Sequence, residues 1–248
     1  MLKMSVQTNV GKSRIINQDT VFASLEPEGL LPNLFIVADG MGGHNGGEVA
    51  SRLAVDYFCD FVKGVQNDEY TNDPLDLLTS ATAAANLGVL SYAKDRPELY
   101  GMGTTLTACS LTEEPNRCNI THIGDSRVYA ITEHSITQLT NDHSYVNEMV
   151  KAGHMTKSEA KVHPKRNVLT KVLGISPDML ADGHVFDIEP KSYVLICSDG
   201  LYNMVSENEI KKIVTANNGE AAKYLVDAAN DNGGRDNISV VVIKYEIN

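Results

Sequence analysis

Between Thr104 and Thr132 the chain carries three β-forming runs with little between them. Thr104–Leu111, Asn119–Ile123 and Val128–Thr132 read as strands, and the last two flank the turn Gly124-Asp125-Ser126-Arg127. A parallel pair needs a crossover of about a dozen residues or more, so strands joined by short turns pair antiparallel. Helical patterns stand outside this block. Val49, Leu53, Ala54, Tyr57, Phe58 and Phe61 share one apolar helical face, and residues 74–95 place Pro74 in a first turn with alanines through the middle. Further strands are expected at Leu34–Ala38, ending at Asp39, and at Tyr193–Cys197, ending at Ser198-Asp199-Gly200. Helical stretches at about 206–216 and 219–230 precede a last strand, Ile238–Tyr245. Strands and helices in blocks, without regular βαβ alternation, predict an α+β fold with sheets packed under helices. No repeat or Pro/Gly/Ser-rich linker divides the 248 residues. One domain over 1–248 is expected, with the mixed stretch 144–175 as an excursion from it.

The formal net charge of −11 argues against nucleic acid or an anionic membrane as the main partner. No apolar run approaches the length of a membrane span, and the N-terminus lacks a signal-peptide core. Cys59, Cys109, Cys118 and Cys197 show no CxxC spacing and sit mostly among apolar residues. They read as reduced core thiols of a cytoplasmic protein.

Several local patterns fail as motifs. Gly40-Met41-Gly42 would need glycine at 45 to form a dinucleotide loop, and Asn45 stands there. Gly11-Lys12-Ser13 lacks the earlier glycine of a phosphate-binding loop, where Val6 stands. No GxSxG elbow and no HExxH pair occurs. What recurs is an aspartate at a strand end beside Gly or Asn: Asp39, Asp199 and Asp236, with Asp125 in a hairpin turn. One Asp-Gly alone is a turn, as expected for Asp182-Gly183. Strand ends at one sheet edge, however, bring distant carboxylates together. Oxygen-only ligands select hard cations such as Mg²⁺ or Mn²⁺. Two ions about 4 Å apart activate water and stabilise an in-line displacement at phosphorus. Arg14 is the candidate to hold a phosphate, through the bidentate fork of its guanidinium.

These residues together resemble the metal-dependent type 2C family of protein serine/threonine phosphatases, in its compact bacterial form. The resemblance covers nearly the whole chain. It rests on Gly11–Asp19, Val37–His44, Gly101–Thr105, Ile123–Arg127, Asp142-His143-Ser144, Cys197–Leu201 and Gly234–Ser239, in the family's order. It implies two packed antiparallel β-sheets flanked by helices, an α-β-β-α sandwich, with a flap at about 144–175. It implies two central Mn²⁺ or Mg²⁺ ions, with Asp39 bridging them, Gly40 binding one through its carbonyl, and Asp199 and Asp236 completing the other. Asp125 with Asp199 matches a third, weaker site, and Asp19 acts through water. Arg14 grips the substrate phosphate. His44 lies near the site, either as an acid for the leaving group or only packing at the helix start. The implied reaction is direct attack of a metal-bridging hydroxide on phosphoserine or phosphothreonine in proteins, without a phosphoenzyme. A cognate serine/threonine kinase is the implied partner.

His163, Lys165 and Arg166 of the flap are candidates to touch a phosphoprotein, or are a solvated basic loop. The sequence departs from the family at Ile16 and at Tyr202-Asn203, and neither departure is expected to touch a proposed ligand. Two other readings remain open, a phosphoprotein-binding relative without turnover and a two-metal hydrolase of small phosphoesters. The presence of Arg14 and all four candidate aspartate ligands favours turnover.

Overall fold

Two antiparallel sheets face each other, and each carries helices on its outer side. The computed structural model describes residues 2–65, 73–113, 116–218 and 220–246, with the side chains of 43–45 outside that description. The order is β1 (Leu2–Asn9), β2 (Asp19–Ser24), β3 (Leu34–Met41), α1 (Gly43–Gly64), α2 (Pro74–Lys94), β4 (Gly103–Thr104), β5 (Leu106–Glu113), β6 (Asn116–Ile123) and β7 (Arg127–Ile131). It continues with β8 (Ile136–Gln138), α3 (Tyr145–Lys151), α4 (Lys157–Val162), β9 (Asp182–Asp187), β10 (Tyr193–Cys197), α5 (Asp199–Tyr202), α6 (Glu207–Ala216), α7 (Ala222–Asp231) and β11 (Ile238–Tyr245). One sheet runs β1-β11-β10-β7-β8, and the other runs β2-β3-β5-β6-β9 with β4 beside β3.

The central strands are apolar without interruption because both of their faces are buried. In β3, Phe35 and Val37 point between the sheets, while Leu34, Ile36 and Ala38 point toward α1 and α2. β10 does the same for the other sheet. Val194 and Ile196 face inward, and Tyr193, Leu195 and Cys197 meet the helices α5 to α7. The result is the α-β-β-α sandwich. All four cysteines are buried and free. Among the described residues no helix is long and apolar enough to cross a membrane.

The expected helices hold. α2 starts where Asp73 accepts from Leu75 N and Pro74 opens the first turn. The expected strand 104–111 is broken at Thr105. There Thr105 N donates to the Asp39 carbonyl at 2.8 Å, and Thr104 exchanges backbone hydrogen bonds with Leu173 of the flap's end. The expected turn at Asp182-Gly183 is the start of β9, where Asp182 lies opposite His122. Its carboxylate is held by Lys171 Nζ at 2.7 Å and lies 3.1 Å from His143 Nε2, contacts that add to the strand pairing. Residues 144–175 carry the short helices α3 and α4. The second has a capping box between Thr156 and Glu159. The stretch is pinned at its base by the bridges Ser144↔Leu169 and Thr104↔Leu173.

Candidate active site

The aspartates gather where the ends of the two sheets meet. Asp19 opens β2 directly opposite Asp39 of β3. Asp199 stands two residues after β10, and Asp236 stands two residues before β11. β10 and β11 are paired, so these two come from neighbouring strands of the other sheet. Ser198 joins the sheets: its hydroxyl donates to Asp19 Oδ2 at 2.8 Å and accepts from Ser239 N at 3.0 Å.

Asp39 lies within β3 rather than beyond its end. Its backbone is fixed by Thr104 and Thr105: Asp39 N donates to Thr105 Oγ1 at 2.9 Å, and Thr104 Oγ1 donates to the Asp39 carbonyl at 2.9 Å. Thr105 Oγ1 also shares a 2.8 Å hydrogen bond with Ser126 Oγ, which ties Asp39 to the turn that carries Asp125. The glycines after Asp39 let α1 come close. A Cβ on Gly40 would stand 2.0 Å from the Gly47 carbonyl oxygen and 2.6 Å from that of Gln18. Gly200 works likewise for the other sheet, since a Cβ there would stand 2.0 Å from the Asn237 carbonyl oxygen.

Asn237 stitches the loop that bears Arg14. Its Oδ1 accepts from Gln18 N at 2.8 Å, and its Nδ2 donates to the carbonyls of Val10 and Ile16. Arg14 thereby reaches Asp236, with Nη2 2.8 Å from Oδ2. Asp199 Oδ2 accepts from Asn203 Nδ2 at 3.0 Å, and the Tyr202 hydroxyl donates to the Asp125 backbone carbonyl at 3.0 Å. The expectation that Tyr202-Asn203 stands clear of the candidate ligands is therefore corrected. α5 winds directly from Asp199, so residues three and four further on return to its side. His44 falls in the first turn of α1, and its side chain lies outside the described residues.

The charge is concentrated. Burial pushes the Asp39 carboxyl well above the usual carboxylate range, and Asp19, Asp199, Asp125 and Asp236 push it further. Burial likewise raises Asp199, with Asp125, Asp236 and Asp19 adding to it and Arg14 opposing. Burial raises Asp19 and Asp125 to about 6 each, and Asp142 adds to the second. Asp199 Oδ1 and Asp19 Oδ1 are buried with no hydrogen-bond partner. Among the described residues no three Asp, Glu, His or Cys side chains are already drawn in to enclose an ion. The donor set nevertheless fits hard cations: it is all oxygen, it repels itself, and two of its oxygens are unsatisfied. Beside a guanidinium, such a group can hold divalent ions and a phosphate.

The structure brings together Asp19, Asp39, Asp125, Asp199, Asp236 and Arg14. Sequence reasoning gave no role to Ser198, Asn237, Thr104, Thr105, Tyr202 or Asn203. All but Tyr202 and Asn203 lie inside the motifs quoted above, and that was the signal available.

The sequence model described as protein phosphatase 2C matches residues 7–228. Protein phosphatase PhpP of Streptococcus pneumoniae is 38% identical over 245 residues, 98% of this chain and 97% of that one. The serine/threonine phosphatase stp of Listeria monocytogenes is 34% identical over 245 residues, 97% of this chain and 95% of its own. A crystal structure of the catalytic domain of the serine/threonine protein phosphatase PstP, in complex with two manganese ions, superposes with a TM-score of 0.84 at 32% identity, over 99% of both chains. The chain belongs to the protein phosphatase 2C family.

Proposed function

We propose that this chain is a metal-dependent protein phosphatase that hydrolyses phosphoserine and phosphothreonine in proteins, and that it opposes a cognate serine/threonine kinase. The observation that carries the reading is the convergence of five buried or half-buried carboxylates, two with unsatisfied oxygens, beside Arg14. In this reading Asp39 would bridge two central Mn²⁺ or Mg²⁺ ions and Gly40 would offer its carbonyl. Asp199 and Asp236 would complete the set, and Asp125 with Asp199 would hold a third, weaker ion. Residues 1–248 form one catalytic domain with a flap at about 144–175.

When bound, such ions lower the pKa of water toward neutrality and offset charge on phosphorus oxygens. The chain's own residues do the rest. Arg14 is half exposed and rests on Asp236, so it can exchange that carboxylate for the substrate phosphate. There its guanidinium binds, orients and neutralises the group under attack. Asp19, held by Ser198, fixes the field behind Asp39. The leaving seryl or threonyl oxygen needs a proton, and His44 at the start of α1 is the proposed donor.

The test is phosphate release from a phosphothreonine peptide with Mn²⁺, with Mg²⁺ and with excess chelator. Metal-dependent release that chelator stops is expected. Folded protein that releases nothing with either metal would refute turnover and leave a phosphoprotein-binding relative. A nucleotide hydrolysed faster than the peptide would refute the protein substrate.

A further inference from the structure

Tyr202 and Asn203 hold the two residues assigned to the weakest ion, the first by its backbone and the second by its carboxylate. The Tyr202 hydroxyl donates to the Asp125 carbonyl at 3.0 Å. Its ring lies under the Arg127 guanidinium, whose Cζ is 3.6 Å from the ring centroid. Arg127 is itself held from three directions. Its Nε and Nη2 fork onto Asp142 at 2.9 and 2.7 Å, and its Nη1 donates to the Tyr129 hydroxyl at 3.0 Å. Asp142 Oδ1 also accepts from Gln138 Nε2 at 2.8 Å. The ring therefore cannot swing without losing its contact with a guanidinium that a bidentate ion pair holds in place, and its hydroxyl reaches the turn. On the same helical turn, Asn203 Nδ2 anchors Asp199 Oδ2 at 3.0 Å. Asp199 Oδ1 remains, buried and without a partner.

One turn of helix thus ties the backbone of Asp125 and the carboxylate of Asp199, two residues from different parts of the chain. Asp125 stands on a hairpin turn, where backbone is free to shift unless tied. A cation held by only two carboxylates gains little from extra ligands, so its affinity depends on how well those two are held beforehand. We propose that Tyr202 and Asn203 are positioning residues for a third divalent cation shared by Asp125 and Asp199, an inference that rests on the metal-dependent reading above. Tyr202 holds the turn of Asp125, and Asn203 turns Asp199 so that its free oxygen faces the pair.

The experiment is calorimetric titration of the full chain with Mn²⁺, comparing wild type with Tyr202→Phe, Asn203→Ala and Asp39→Asn. Tyr202→Phe keeps the ring over Arg127 and removes only the hydroxyl. Wild type should show two tight ions and one weak ion. Tyr202→Phe and Asn203→Ala should each weaken the weak ion by about tenfold, the scale for losing a hydrogen bond that orients a metal ligand, and leave the tight ions as they were. Asp39→Asn should remove the tight ions. Thermal unfolding in chelator checks that each variant is folded. Asn203 is exposed, so its variant carries the test even if Tyr202→Phe does not fold. An unchanged weak ion in both variants overturns the proposal. Tight ions weakened as much as the weak one also overturn it, since the role would then be general support of the fold. A wild-type chain that binds no Mn²⁺ refutes the metal-dependent reading itself, a result distinguishable from either of these.

Discussion

Replacing Asp19 with Asn should stabilise the protein in chelator at pH 8 and change little at pH 4. Asp19 is 8% exposed, and burial is the main reason its carboxyl rises from 3.8 to about 6. Hydrogen bonds from Ser239 and Ser198 offset part of that rise, and Asp236 adds to it. A carboxyl moved this far costs about 3 kcal/mol once it is ionised in the fold. The sign follows from the order of the two values. Below pH 3.8 the group is protonated in both states and nothing is lost. Between 3.8 and about 6 the unfolded chain releases its proton first, so stability falls as pH rises. Above about 6 the full cost is present. Asn cannot ionise, and its amide oxygen can still accept from Ser198, which donates to Asp19 Oδ2 at 2.8 Å. For a chain of this length about 1 kcal/mol moves the melting temperature by about 2–4 °C, so the variant should melt about 6–12 °C higher at pH 8. Differential scanning calorimetry in chelator across pH 4–8 is the assay. Saturating Mn²⁺ should narrow the gap, because nearby cations favour the ionised carboxylate that burial disfavours. A gap that does not grow with pH, or a variant that melts lower at pH 8, would refute the reasoning that an ionised Asp19 strains the fold.

Asp39→Ala and Asp236→Ala should each lower the rate of phosphopeptide hydrolysis by about 100-fold or more, the scale of a lost electrostatic catalytic element; wild-type turnover in either would sink its assignment. Arg14→Ala should act mainly on substrate binding, raising KM for the phosphopeptide with a smaller change in kcat, and an unchanged KM would remove Arg14 from the phosphate.

What the sequence made legible was decided by burial. β3, β10 and β11 lie inside the sheets, and both of their faces are covered, so they read as continuous apolar runs. The strands that escaped notice, β1, β2, β8 and β9, are the four outer strands of the two sheets. Outer strands bury less: β9 alternates half-buried with exposed residues and β1 mixes the two, patterns that polar loops imitate. Asp182-Gly183 shows the same limit, because its turn-like composition is overruled by pairing with β6, which no local window contains. The aspartates were legible because strand ends and glycines mark them locally. Their neighbours were not.

The contacts of Tyr202 and Asn203 show why this matters for the site. A departure from family pattern reads as harmless when judged by its distance in sequence from the nearest candidate ligand on another strand. Tyr202 is 77 residues from Asp125, yet its hydroxyl meets that residue's carbonyl. Asn203 is only four residues from Asp199, but whether it returns to that carboxylate depends on a helix starting at Asp199 itself. That start is set by β10 ending at Cys197 and by Gly200 fitting against the Asn237 backbone. The electrostatics adds the last step. Burial and neighbouring charges push the carboxyls of Asp19, Asp39, Asp125 and Asp199 upward, and a cation among them would favour their charged forms. A group that orients one carboxylate therefore acts on the whole set, through the ions it would share. Substitutions at 202 and 203 belong with the metal chemistry, and their effect should appear first in the ion held most weakly.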